Sequence, residues 1–149
     1  MRAVVQRVSR AKVTVSGEIT GKIGRGLLAL LGVTHADNEK DADYLVDKIA
    51  NLQIFDDGDG KMNLSLAEID GELLVVSQFT LYGDTRRGRR PSFIAAAPGD
   101  EALHWYEYFV VRANERIKKV ATGRFGEMMD VEMVNDGPVT IILDSEKTI

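Results

Sequence analysis

The stretch GLLALLGV, residues 26–33, contains no charged or hydrogen-bonding side chain. Strands that are buried on both faces show such continuous apolar runs, whereas strands with one face in water alternate apolar and polar residues. We therefore predict a central strand that is covered on both sides. A second strand is predicted for GELLVVSQFTL, residues 71–81, which is rich in β-branched and aliphatic residues and ends in polar ones.

Further strands are predicted on either side of these two. The valine-rich residues 2–15 predict one or two strands, and Ser16-Gly17 marks a turn into EITGKI, which reads as the return strand of a hairpin. Near the other end, MMDVEMV (128–134) and VTIILDS (139–145) predict two strands that are joined by a turn.

Two helices complete the predicted fold. Asp37 or Asn38 can cap the first, whose buried face is predicted from helical spacing to comprise Ala42, Leu45, Val46, Ile49 and Leu52. The second is predicted to begin at Pro98-Gly99-Asp100 and to end at Gly123. The fold class is then mixed α/β: a compact β/β/α layered or split-barrel-like sheet with two main helices on one side, in a single domain over residues 1–149.

Composition excludes several classes of function. The chain has 149 residues, a formal net charge of −4 and no cysteine, so disulfides, thiolate catalysis and cysteine-based zinc sites are excluded. The longest apolar run, LLALLGV, is far shorter than the roughly 20 residues that span a bilayer. Gln6 and Arg7 interrupt the start before a signal-peptide core can form. We expect a complete cytoplasmic protein without a membrane partner.

Several weak motifs are better explained as ordinary turns or packing. GKIGRG (21–26) lacks the spacing and the following helix of a dinucleotide site, and DDGDG (56–60) places Gly or Lys where a calcium loop needs ligands. The only two histidines, His35 and His104, have no partners that indicate a zinc site or a Ser-His-Asp triad. We expect neither a metal nor a cofactor.

The first candidate site is the polar end of the predicted strand 71–81, where Ser77, Gln78, Phe79 and Thr80 follow an apolar run. If the strand continues, Gln78 and Thr80 lie on one face, and Ser77 and Phe79 on the other. Polar groups at a strand end are a common location for a site in sheet proteins. A strand end that frays into polar residues explains the pattern equally well.

The second candidate is the loop RRGRR (86–90), which holds four of the nineteen basic residues of an acidic chain. A guanidinium group can donate two hydrogen bonds to phosphate oxygens, and Gly88 allows the backbone to come close to a phosphate. Arg86, Arg87, Arg89 and Arg90 are therefore predicted to bind the phosphates of a polyanion. The alternatives are a solvated basic loop or arginines that are paired with carboxylates.

The third candidate is NDGPVT, residues 135–140, where Gly137 precedes Pro138 directly before a predicted strand. A bond before proline is where a cis peptide costs least. An ordinary turn between two strands is the simpler reading of the residues alone.

SQFTL (77–81) together with NDGPVT (135–140) resembles the paired signature of the D-aminoacyl-tRNA deacylases. The likeness extends over essentially the whole chain, from MRAVVQRVSRAKVTV through RRGRRPSF to the final strand. A sister family that is selective for mischarged L-alanine differs at both motifs, so the chain looks like the D-specific type.

The resemblance implies hydrolysis of the ester between a D-amino acid and the terminal ribose of tRNA. It also implies a homodimer in which Gly137 and Pro138 of one subunit, joined by a cis bond, enter the active site of the other and reject L-aminoacyl-tRNA. Achiral glycine on tRNA(Ala) is an expected further substrate. A non-catalytic nucleic-acid-binding module and hydrolysis of another small ester remain as alternatives.

An aminoacyl ester is already activated, so the expected catalytic groups are oxyanion donors. We assign this role to backbone N–H groups near Gln78 and Phe79, with help from the side chains of Ser77 or Gln78. Thr80 is the candidate nucleophile by chemistry, but no general base is evident near it in the sequence. The alternative is that the neighbouring ribose hydroxyl of the tRNA helps to activate water.

Overall fold

The computed structural model describes all residues from 1 to 149. A 3-10 helix, Phe79–Tyr82, lies between the sixth strand and the second α-helix. In chain order the elements are β1 (Arg2–Val15), β2 (Glu18–Ile23), β3 (Gly26–Gly32), α1 (Glu39–Asn51), β4 (Phe55–Asp56), β5 (Met62–Leu64), β6 (Glu72–Ser77), α2 (Gly99–Asn114), β7 (Lys119–Thr122) and β8 (Asp130–Asp144).

The main sheet has the strand order β2-β1-β3-β6-β7, and β8 pairs with β1. The β3–β6 and β6–β7 pairs are parallel, and the pairs made by β1 are antiparallel. The two end strands approach each other, because a Cβ built on Gly21 of β2 would lie 2.2 Å from the Thr122 carbonyl oxygen of β7. The sheet is therefore nearly closed into a barrel, which confirms the predicted fold class.

The predicted double burial of the GLLALLGV strand is confirmed. Leu27, Ala29 and Leu31 of β3 pack in the same core as α1 and α2, and Leu28 packs in a second core inside the barrel. Both helices contribute to the first core only, so they cover one face of the sheet. Neither helix is long and apolar enough to cross a membrane.

The first helix follows the sequence prediction closely. Asn38 is its N-cap, and a capping box joins Asn38 and Asp41. Four of the five predicted apolar positions are buried, and Leu52 lies just after the helix end, partly buried against the core.

The second helix ends earlier than predicted. It stops at Asn114 rather than at Gly123, and residues 119–122 form β7 beside β6. The parallel β6 edge captures this segment through pairs such as Leu73 with Val120. Local periodicity does not encode that interaction, because the partner strand lies far away in the sequence.

The predicted strand 71–81 also ends earlier, at Ser77, because the chain turns into the 3-10 helix. The expected alternation of Gln78 and Thr80 against Ser77 and Phe79 is therefore wrong beyond Ser77.

The two strands predicted near the C-terminal end are one strand, β8. Both halves pair antiparallel with β1, so the chain does not reverse at residues 135–138. The register jumps from Gln6–Thr140 to Val8–Asn135, which leaves extra residues of β8 opposite Arg7. The predicted turn is therefore a bulge within a continuous strand.

Candidate active site

A cavity of about 540 Å³ opens at the carboxyl end of β6. Ser77, Gln78 and Phe79 form its polar edge. The remaining lining comes largely from the start of α2 and from the segment between β7 and β8, and it includes Ala102, Phe125, Met128, Met129 and Val131. A largely apolar lining with a few convergent polar groups is the usual composition of a small-molecule site.

The polar edge is produced by the way in which β6 ends. The backbone N–H of Gln78 donates to the Leu31 carbonyl at 2.8 Å, which extends the β3–β6 pairing by one residue. The chain then enters the 3-10 helix and presents Phe79, which is 54% exposed. Its ring packs edge-on against Phe93, with the ring centroids 5.1 Å apart.

Thr80 lies next to the cavity in sequence but is not among its lining residues. Its hydroxyl accepts a hydrogen bond from the Gln78 side-chain amide. An amide N–H cannot take up a proton, so this contact orients the hydroxyl without activating it as a nucleophile.

Glu127 is the only ionisable side chain that lines the cavity. It is paired with Arg124 at 3.6 Å, and both side chains are about half exposed. His35 contacts the Ile94 carbonyl oxygen through Nε2 at 2.7 Å, and His104 packs edge-on against Trp105. Neither histidine lines the cavity.

Gly137 and Pro138 lie at the bulge of β8, and both are exposed. The bond between them is cis, as the resemblance implied. Gly137 has φ of 135°, and a Cβ at this position would lie 2.8 Å from Val139 Cγ2, so the local backbone favours glycine. Neither residue lines the cavity of its own chain, so only the first of the two motifs contributes to that lining.

Arg7 anchors this bulge, a role that none of the sequence motifs indicates. The residue is 7% exposed, its Nε donates to the Asp136 carbonyl at 3.0 Å, and a terminal nitrogen donates to the Ile54 carbonyl at 2.7 Å. The carboxylates of Asp56 and Asp136 lie 3.6 and 3.5 Å away. The sequence signal for this role was the alternation of the strand, which places Arg7 on the same face as the apolar Ala3 and Val5.

The arginine loop is closed by two backbone hydrogen bonds between Asp84 and Ser92. Arg86 binds both carboxylate oxygens of Asp84, at 2.9 and 2.8 Å. Hydrogen bonds from Arg86 hold the pKa of Asp84 at about 2, below its usual value. Arg87, Arg89 and Arg90 are exposed and make no ion pair, so three of the four arginines remain free to bind an anion.

The sequence matches the family model described as D-Tyr-tRNA(Tyr) deacylase over residues 4–144. The chain belongs to this family. A D-aminoacyl-tRNA deacylase of Thermus aquaticus is 58% identical over 147 residues, which is 99% of this chain and 97% of that protein. A D-aminoacyl-tRNA deacylase of Thermosipho africanus is 60% identical over 147 residues, which is 99% of this chain and 99% of that protein.

Two solved structures share the fold. A protein named c-Myc DNA Unwinding Element Binding Protein has a TM-score of 0.92 and 43% identity, with 97% of this chain and 98% of that chain covered. A probable eukaryotic D-amino acid tRNA deacylase has a TM-score of 0.82, with 96% and 98% covered. The second is only 17% identical, so it supports the fold alone.

Replacement of Arg7 by Lys should loosen the bulge of β8. Lysine keeps the charge but cannot reach both carbonyls from one planar group, so a buried acceptor loses its partner at a cost of about 1–3 kcal/mol. We expect faster amide hydrogen exchange over residues 136–140 and a lower free energy of unfolding in urea. Arg10→Lys, at an exposed position of the same strand, is the matched control. Equal exchange in the two variants would show that Arg7 does not anchor the bulge.

Proposed function

We propose that this chain hydrolyses the ester bond between a D-amino acid and the terminal ribose of tRNA, releasing the free D-amino acid and tRNA. The observation that carries the proposal is the cavity at the end of β6, edged by Ser77, Gln78 and Phe79, in a member of this family. The names of the relatives at 58% and 60% identity agree with it.

The reaction needs charge stabilisation more than a strong nucleophile, because the ester is already activated. Water attacks the carbonyl carbon, and the tetrahedral oxyanion must meet donors that are already in place. The Gln78 N–H is bonded to Leu31, so it is not a free donor. We assign the role instead to the N–H group of Phe79, which opens the 3-10 helix where no intrahelical acceptor exists. The side chains of Ser77 and Gln78 assist.

The proton of the attacking water is proposed to leave through the neighbouring hydroxyl of the tRNA ribose. Two features of the cavity support this choice. The Thr80 hydroxyl is bonded to an amide donor, and the only ionisable group in the lining, Glu127, is paired with Arg124. The substrate's own hydroxyl therefore orders the water, accepts its proton and passes its own proton to the ribose oxygen that leaves the ester.

Chiral selection is proposed to come from Gly137 and Pro138 of a partner subunit in a homodimer. Both residues are exposed, lie outside the cavity of their own chain and sit on a bulge that Arg7 anchors. L side chains range from a methyl group to indole, so a side-chain pocket could not reject them all. A rigid backbone wall meets the Cα substituent before its size matters. Glycine has no such substituent, so glycyl-tRNA(Ala) is a further proposed substrate.

A non-catalytic role in nucleic-acid binding is the second candidate. It is favoured by the name of the structural neighbour at 43% identity, which describes DNA-element binding by that protein. The two functions differ in one observable, because only a deacylase releases the amino acid.

Purified protein should release D-tyrosine from D-tyrosyl-tRNA and spare L-tyrosyl-tRNA. The rate should be unchanged in EDTA, since the chain has no cysteine and no cluster of three or more His, Asp or Glu residues suited to a metal ion. Release of labelled amino acid is the measurement. Tight tRNA binding without release would favour the nucleic-acid-binding role, and activity lost in EDTA and restored by zinc would contradict metal independence.

Thr80→Ala should reduce the rate by roughly 10- to 100-fold, because it removes a hydrogen bond that orders Gln78. Loss of a covalent nucleophile costs far more, on the order of a million-fold. Glu127→Gln should lose less than the roughly 100-fold expected of a general base. Single-turnover rates test both variants, and an aminoacyl group trapped on Thr80 would move the mechanism to covalent catalysis.

Arg87→Ala, Arg89→Ala and Arg90→Ala together should raise KM for D-aminoacyl-tRNA. The slope of binding against salt should fall by about one for each phosphate that the variant no longer binds. Arg86→Ala is the internal control and should have the smaller effect, because Asp84 already occupies its guanidinium group. An unchanged salt slope in the triple variant would identify the loop as a solvated surface.

Two inactive variants should complement each other if the site forms across a dimer. Ala102→Phe fills the cavity, and Gly137→Ala displaces the bulge, since its Cβ would meet Val139. A heterodimer of the two has one wild-type site, formed by the cavity of one chain and the bulge of the other. Differentially tagged, co-purified heterodimers should regain D-selective hydrolysis. No recovery in a verified heterodimer would place both motifs in one chain.

A further inference from the structure

A second basic region lies on the outer face of the sheet, where β2, β1 and β8 run side by side. It is a groove of about 290 Å³ that contains Arg10, Lys12 and Lys22 and a single carboxylate, Glu132. Neither the sequence motifs nor the proposed catalytic chemistry uses these residues. We call it the basic groove.

The strand register places the charges close together. Lys12 of β1 is directly opposite Lys22 of β2, and on its other side it is opposite Glu132 of β8. Like charges at directly opposed positions of an antiparallel pair are destabilising. The two lysines are therefore held together by the strand pairing and not by their own interaction.

The single carboxylate of the basic groove does not balance the positive charge of its three basic side chains. Lys12 pairs with Glu132 at 3.4 Å, and both side chains remain substantially exposed. Arg10 and Lys22 make no ion pair, so the groove carries two uncompensated positive charges in a chain whose net charge is −4. An anionic ligand that bridges these groups would relieve the repulsion, and phosphate oxygens match the guanidinium of Arg10.

The groove is also near the cavity along one strand. Met129, just before β8, and Val131, near the start of β8, line the cavity, and residues 132–134 line the groove. At 3.3 Å per residue, the backbone covers only about 10 Å from Val131 to residue 134. Val131 is paired with Val13, whose side chain packs inside the barrel, and Glu132 is paired with Lys12 of the groove, so these two successive residues of β8 lie on opposite faces of the sheet.

We propose that the basic groove binds the phosphate backbone of the tRNA close to its esterified 3′ end. This inference rests on the proposed function, since it assumes a substrate that ends in the cavity and continues as a polyanion. A tRNA whose 3′ end is held at the cavity reaches the groove by passing around β8. The groove then contributes affinity for the RNA body and not for the amino acid.

A second copy of the chain is a poorer occupant. A two-fold interface that is centred on the groove would place the same patch against itself. Two uncompensated cations of one subunit would then face two of the other, without a carboxylate to separate them.

The test uses the variant Arg10→Gln/Lys12→Gln/Lys22→Gln and two substrates. One is D-tyrosyl-tRNA, and the other is D-tyrosyl-adenosine, the same ester on a nucleoside without phosphate. We expect KM for D-tyrosyl-tRNA to rise on the order of tenfold and the salt slope of binding to fall by about one to three. Kinetics on D-tyrosyl-adenosine should not change.

The matched control is Lys40→Gln/Lys61→Gln/Lys118→Gln, which removes three charges at exposed positions that make no ion pair. It should leave KM for both substrates unchanged. If groove and control variants behave alike on D-tyrosyl-tRNA while the wild type is active, this inference is overturned and the proposed function stands.

Two other outcomes also overturn the inference. A groove variant that loses activity equally on D-tyrosyl-adenosine would act through the cavity, and one that changes its oligomeric state on size-exclusion chromatography would identify a contact between copies. A wild type inactive on both substrates would overturn the proposed function itself. Thermal unfolding verifies that each variant folds, and single Arg10→Gln and Lys22→Gln variants replace the triple one if it does not.

Discussion

The parallel pairing of β3 with β6 is the constraint on which the site depends. Gly26 allows the two backbones to meet, because a Cβ there would lie 1.8 Å from the Glu72 carbonyl oxygen. At the other end, the Gln78 amide binds Leu31, and the chain turns immediately afterwards. The pairing is buried under helices on one face and inside the barrel on the other, so the point at which β6 ends is fixed by the whole core. The cavity edge is therefore positioned by strand pairing rather than by a flexible loop.

A buried guanidinium group sets the second element of the proposed site. Arg7 occupies a position on β1 where the partner strand carries extra residues, and two backbone carbonyls and two nearby carboxylates offset its desolvation. The bulge thereby leaves Gly137 and Pro138 exposed and outside the lining of their own cavity, while Arg7 and Val139 are buried. A segment that is exposed but anchored in this way can act as a rigid wall for a partner, which a mobile loop could not.

The sequence by itself determined the elements whose signals are local. Capping and apolar spacing located α1, Ser16-Gly17 located the β1–β2 hairpin, and the uninterrupted GLLALLGV run predicted a strand covered on both faces. The paired motifs at 77–81 and 135–140 indicated the family, which the comparison over residues 4–144 bears out. These predictions are correct because each depends on residues within a few positions of one another or on a fixed pair of short motifs.

Only the tertiary structure decided the features that depend on distant partners. Residues 119–122 become a strand because β6 offers a free edge, and β8 continues through residues 135–138 because both of its halves pair with β1. Thr80 lies outside the cavity lining because the chain turns into a 3-10 helix after the Gln78 backbone N–H binds Leu31 of β3. Periodicity describes one element at a time, and the backbone hydrogen bonds that fix these positions join strands that only the folded chain brings together.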